Sequence, residues 1–179
     1  MVCFSNHEEA QRYLQELQIR LSKFGLEISP EKTRIIKFGR KTWKESQQTQ
    51  KKPSTFDFLG FTHCLGKGRK GYYKHFVKTS KGKIREGLKN IRIWLKEVIY
   101  RRPKKKWWPQ LCIRLRGHLN YFGVSGNYES LRLFRHQLER IIFKRLNRRS
   151  QRKTFNWGQF REYMKWFPMP KPRISYSLY

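Results

Sequence analysis

The sequence predicts an α+β fold, in which a small piece of strands, one helix and a hairpin is followed by a mainly α-helical bundle. Three observations carry this. Up to about Thr79 the apolar residues fall in short runs broken by Gly, Pro and polar stretches. From there on they recur at intervals of three and four, the helical period. The charge divides along the same line: residues 1–60 hold 11 basic and 7 acidic residues, a net of +4, whereas residues 61–179 hold 31 and 5, a net of +26.

Residues 5–24 are predicted to be helical. Ser5 and Glu8 have capping-box spacing, Asn6 is an alternative cap, and Ala10, Leu14, Leu17, Leu21 and Phe24 share one face. Gly25 suits the position after the helix end. "LEI" (26–28) and "RIIKF" (34–38) are expected as short strands flanking a Ser29-Pro30-Glu31-Lys32 turn, and the polar residues 40–54 as a loop. "FDFLGF" (56–61) is an apolar turn around one glycine, and "CLGKGRKGYYKHFV" (64–77) reads as a hairpin.

In residues 80–99, Ile84, Leu88, Ile91, Leu95 and Val98 form an apolar seam. A second helix is expected to start near Pro109, with Trp108, Leu111, Cys112, Leu115, Leu119 and Phe122 on one face. A third follows Asn127, with Leu131, Phe134, Leu138, Ile141 and Ile142. Together these predict a small helical bundle. A short helix near 156–166 and an extended "PMPKPR" (168–173) close the chain. The expected divisions are 1–62, a connecting hairpin 63–78, the bundle 79–150, and a basic tail 151–179.

Composition bounds the function. The 179 residues include 13 Phe, 9 Tyr and 6 Trp, too many for a disordered basic tail. A net charge of +30 calls for a polyanion, with nucleic acid ahead of an anionic membrane surface. No run of about 18 apolar residues predicts a membrane span. No secretory leader is evident. Cys3, Cys64 and Cys112 form no CxxC, so neither a zinc site nor a disulfide framework is expected, and a cytoplasmic location fits.

The cations are patterned. At about 100° per residue, Arg85, Lys89, Arg92 and Lys96 lie in one stripe, with Glu86 and Glu97 on a different flank. Such segregation fits a continuous anionic partner, and the alternative is an ordinary exposed face. "LNRRSQRKTFNW" (146–157) sets Arg148, Arg149, Arg152 and Lys153 beside Phe155 and Trp157. Those aromatics either stack on unpaired bases or pack the tail helix. "RRPKKK" (101–106) reads as a basic interhelical loop that touches phosphates. "LRGHLNYFG" (115–123) gathers Arg116, His118 and Tyr121 around a glycine, Gly117, whose helix cost would be explained by close approach of another backbone, protein or RNA, the alternative being simple helix–helix packing. His118 is equally consistent with a packing histidine.

Taken in order, "LSKFGLEISPEKTRIIKFGR", "TFDFLGF", "LRGHLNYFGV", "LNRRSQRKTFNW" and "PMPKPR" resemble group II intron reverse transcriptase/maturases over nearly the whole chain. The resemblance implies that residues 1–39 correspond to the last strand-helix-strand of the polymerase palm and residues 79–150 to the thumb, or maturase-specific X domain. It implies that Phe58, Leu59, Gly60 and Phe61 form a primer-grip turn, with the aromatics anchoring it in the core. Lys32 would be a palm lysine near an incoming triphosphate. The family's polymerase uses Mg²⁺ held by paired aspartates. No Asp-Asp pair occurs in these 179 residues, nor the CxxC pairs of the family's HNH endonuclease. The expectation is therefore a C-terminal part of a bacterial maturase, with no catalytic residue, no metal ligand and no cofactor of its own. It would bind group II intron RNA or an RNA/DNA hybrid and assist splicing. Two alternatives follow from the same resemblance: half of a split polymerase completed by an N-terminal partner, or a mobile-element remnant.

Overall fold

The computed structural model describes residues 1–68, 71–148 and 155–177. Among them are six helices and one three-stranded sheet. In chain order these are α1 (His7–Ser22), α2 (Arg40–Thr49), β1 (Phe56–Phe58), β2 (Phe61–Lys67), β3 (Tyr73–Thr79), α3 (Lys81–Arg101), α4 (Lys104–Tyr121), α5 (Tyr128–Asn147) and α6 (Trp157–Trp166). The sheet order is β1-β2-β3. Its connections are too short for crossovers, so neighbouring strands run antiparallel. The α+β expectation holds.

The chain divides into two compact units, one of Met1–Phe56 with Leu65–Lys74, the other of Asp57–Cys64 with His75–Tyr179. The Phe58–Phe61 turn and the near ends of β2 and β3 go with the helices.

In the first unit, α1 half-buries the predicted stripe of Ala10, Leu14, Leu17 and Leu21, but no α1 residue is fully buried, and Phe24 is 72% exposed rather than part of the seam. Asn6 is the N-cap. Its side chain bonds Glu9 (3.0 Å) instead of the backbone, so the Ser5/Glu8 capping box does not form. Gly25, at φ +68°, ends the helix as expected, and Leu26 N–H reaches the Leu21 carbonyl at 3.0 Å. The Ser29–Lys32 turn forms, with the Lys32 and Thr33 amides donating to Ser29 O.

Residues 1–4, 26–28 and 34–38 are not strands. A strand needs a ladder partner, and none of these segments finds one within the described chain. The expected loop at 40–54 contains α2 instead. Lys, Gln and Glu favour helix, and Thr42, Trp43 and Ser46 supply an inward stripe, Trp43 meeting Tyr73 edge-on at 5.9 Å.

The second unit holds the core. Leu95, Ile99, Trp107, Leu111, Leu115, Leu119, Leu131, Phe134, Leu138 and Ile142 are almost wholly buried. All but Ile99 and Trp107 come from the predicted seams of α3, α4 and α5, and α6 adds Phe160. Ser80 caps α3 by accepting from Lys83 N (3.3 Å). The start of α4 differs from expectation, because Pro103 is its cap and Pro109 lies inside the helix. Proline there removes one helical hydrogen bond. Burial of both Trp107 and Trp108 in that turn offsets the loss. The tail returns to the α4–α5 link: Ser175 and Tyr176 amides donate to Gly123 O, and Ser125 N donates to Tyr176 O.

Candidate nucleic-acid interface

The functional candidates of the helical unit sort by what holds them. On α3, Arg85, Lys89, Arg92 and Lys96 are all exposed along one stripe, as their spacing predicts. Along α5 and its C-cap, Arg140, Lys144 and Arg148 follow one another at intervals of four, with Arg145 beside them. The two rows meet where Arg92, Arg140, Ile141, Lys144, Arg145 and Arg148 line a recess of about 150 Å³. No acidic side chain lines it. Among the described residues the ion pairs join Lys83 to Glu86, Arg132 to Glu129, Arg135 to Glu139 and Lys165 to Glu162, none of them a recess cation. Glu139, the acid next to Arg140 in sequence, is held at 2.9 Å by Arg135. Five like charges around one recess repel one another, and an anion between them removes that cost.

Arg92 and Arg148 were legible as candidates, whereas Arg140, Lys144 and Arg145 were missed. The i, i+4, i+8 spacing of 140, 144 and 148 was the available signal. Arg149, Arg152 and Lys153 lie outside the described residues. Phe155 and Trp157 pack the tail helix: Phe155 sits beside Tyr163 (5.2 Å), and Trp157 stacks on Phe143 at 3.9 Å and 13°.

Arg116 is exposed on α4, away from the recess lining. His118 is half-buried. Its ring stacks on the fully buried Phe134 at 3.6 Å, and burial pushes its pKa down to about 4. It is therefore neutral at pH 7 and leaves the cationic set. Gly117 has nothing within 4 Å of where a Cβ would stand, so no described residue of the protein makes the close approach expected there. It occurs instead at Gly87, where a Cβ would lie 3.1 Å from Phe134.

"RRPKKK" is not a loop throughout. Lys104, Lys105 and Lys106 form the first turn of α4, where the helix dipole opposes cations. Lys104 lies over the Phe167 ring at 3.7 Å and the Tyr163 ring at 4.3 Å, and burial lowers its pKa.

The apolar turn is a two-residue hairpin loop. Leu59 (φ +48°) and Gly60 (φ +81°) both take positive φ, the pattern of a type I′ turn. It is braced from behind: Tyr121 Oη donates to Leu59 O (3.0 Å) and Ser80 N donates to Gly60 O (2.9 Å). Phe61 packs on Tyr121 and Phe122. Of the aromatics expected to anchor the turn, Phe61 is packed in this way, whereas Phe58 is 37% exposed, and Leu59 at the tip is 67% exposed. The type I′ geometry turns the tip outward. Lys32 is exposed in the first unit's Ser29–Lys32 turn.

Beside the turn, Thr62 donates to Asp57, the chain's one aspartate, and His63 Nδ1 lies 2.9 Å from His75 Nε2. Burial lowers both histidine pKa values, and His75 lowers that of His63 further, against a smaller opposing pull from Asp57. Among the described residues no group of three or more His, Cys, Asp or Glu is placed to hold a metal ion, and no helix is long and apolar enough to cross a membrane. No known protein family, curated protein or solved structure matches the chain.

Proposed function

We propose that the chain is an RNA-binding part of a group II intron reverse transcriptase/maturase, which holds structured intron RNA and assists splicing without polymerising by itself. The convergence of unpaired α3 and α5 cations on one recess is the observation that carries the binding reading. A phosphate backbone is the anion that matches a row of such charges over the length of a helix. The ordered motifs from "LSKFGLEISPEKTRIIKFGR" to "PMPKPR" support the family reading. With a single aspartate in the sequence, the paired aspartates of that family's polymerase have no counterpart here. Synthesis would depend on a second polypeptide that supplies them, together with their Mg²⁺.

Fluorescence anisotropy with a folded intron RNA and with duplex DNA of equal length tests this reading. Binding is expected to favour the RNA. If roughly 6–10 phosphates are neutralised, affinity falls by about 10³–10⁵ between 50 and 200 mM salt on the duplex scale. A salt-independent affinity, or a preference for the duplex DNA, overturns the proposal. Primer extension is expected to show no DNA synthesis by this chain alone. Synthesis that appears only with a polypeptide carrying the aspartate pair would establish the split-polymerase alternative.

A further inference from the structure

The recess is mixed in character, with one apolar residue among its cations. Its volume of about 150 Å³ is several times the roughly 30 Å³ of one water. It is lined by Ile141, which also packs against the core, so one wall is fixed and apolar. Among the described residues that line it, four of the five cations are arginines. A guanidinium differs from an ammonium in having a flat face that stacks on rings as well as an edge that bonds phosphate. Arg145 is half-buried while Arg92, Arg140, Lys144 and Arg148 are exposed, so it is the most enclosed of these side chains.

We infer that this recess is a single-nucleotide site, taking a nucleotide extruded from a structured RNA. The base enters against Ile141 and the Arg145 guanidinium, and the phosphates on either side of it are held by Arg92, Arg140, Lys144 and Arg148. A regular duplex keeps its bases stacked and offers the recess only phosphates. A bulge or loop offers an unpaired base flanked by two of them, which matches an apolar wall ringed by charge. The inference rests on the RNA-binding reading above and adds what part of the RNA is recognised.

The test uses three hairpin RNAs of equal length: fully paired, with one bulged nucleotide, and with the same bulge abasic. The abasic RNA keeps the bulge's phosphates and lacks only the base. The bulged RNA is expected to bind about tenfold more tightly than the abasic one, the scale of one base-stacking contact. Arg145→Lys keeps the charge and removes the flat face. It should abolish that tenfold difference while leaving the salt dependence unchanged. Lys144→Ala should instead weaken all three RNAs alike and make the salt dependence shallower. Ile141→Ala, with folding checked by circular dichroism, should act as Arg145→Lys does. Equal binding of bulged and abasic RNA by the unaltered protein overturns the nucleotide site and leaves a phosphate contact. Failure to bind any of the three overturns the RNA reading itself.

Discussion

Asn127 and Thr79, 48 residues apart in sequence, exchange two hydrogen bonds of 2.8 Å. Asn127 Oδ1 accepts from the Thr79 amide, and its Nδ2 donates to Thr79 Oγ1. The same Nδ2 donates to Phe122 O at 2.8 Å, and Asn127 is wholly buried. One side chain thus joins the end of β3 to the α4–α5 link, and α5 goes without a side-chain cap as a result. Asn127→Ala leaves buried groups on Thr79 and Phe122 unpaired and is expected to cost about 3 kcal/mol. Combined with Thr79→Val, the two costs should fall well short of adding, as urea denaturation of the double-mutant cycle would read. Simple additivity would show that the pair does not act as one unit.

Three glycines should respond differently to alanine. Gly117→Ala meets open space and should stabilise by about 1 kcal/mol through helix propensity. Gly87→Ala presses on Phe134, itself buried and stacked on His118, and should destabilise by about 1 kcal/mol. Gly123→Ala would set a Cβ 2.7 Å from Leu119 O and 3.1 Å from Arg173 O. Backbone cannot yield as a side-chain tip can, so the cost is expected at about 2–3 kcal/mol. Thermal melts of the three variants should rank in that order.

His118 should make the fold acid-sensitive. Its folded pKa of about 4 lies below the unfolded value of 6.5, so between those pH values the unfolded chain binds a proton the native core refuses. Stability is complete above pH 6.5 and falls as pH drops toward 4, by up to about 3 kcal/mol from this residue. The lowered pKa values of His63 and His75 act in the same direction. His118→Phe preserves the stack on Phe134 and should flatten the slope in this window. An unchanged pH profile would mean that another group dominates acid unfolding.

The recess cations should trade stability against binding. Replacing Arg140 and Lys144 by Gln relieves repulsion in the free protein. The variant is expected to melt slightly higher at low salt, by a few tenths of a kcal/mol, while its RNA affinity drops. Added phosphate should raise the melting temperature of the unaltered protein more than that of the variant. A lower melting temperature for the variant would assign these residues to the fold rather than to a ligand.

The two units should differ in hydrogen exchange. Among the described residues of the first, only Ser46 and Leu65 are buried, whereas the second contains the whole hydrophobic cluster. Amides of α1 and α2 are expected to exchange well before those of α3, α4 and α5. Equal protection throughout would contradict this.

Periodicity was enough to find the helices of the second unit, because Leu88, Ile91 and Leu95, or Leu131, Phe134 and Leu138, face inward whatever else the chain does. The same arithmetic placed Arg85, Lys89, Arg92 and Lys96 on one exposed stripe. It failed at "LEI" and "RIIKF", because strand formation depends on a partner elsewhere in space. It also failed at residues 40–49, where polar composition hid the short inward stripe of Trp43 and Ser46. At Pro109 a local rule for helix starts lost to the burial of two tryptophans.

What the amino-acid order determined by itself was the excess of cations, the inward seams and the turn at Gly60, since each depends on residues close in sequence. Only the tertiary structure decided that His118 is a neutral core ring and that Gly87 rather than Gly117 admits a close neighbour. It alone brought Arg92 of α3 to the row of Arg140 and Lys144 on α5 and Arg148 at its C-cap. These relationships join residues tens of positions apart, and the packing of one helix against another sets such distances.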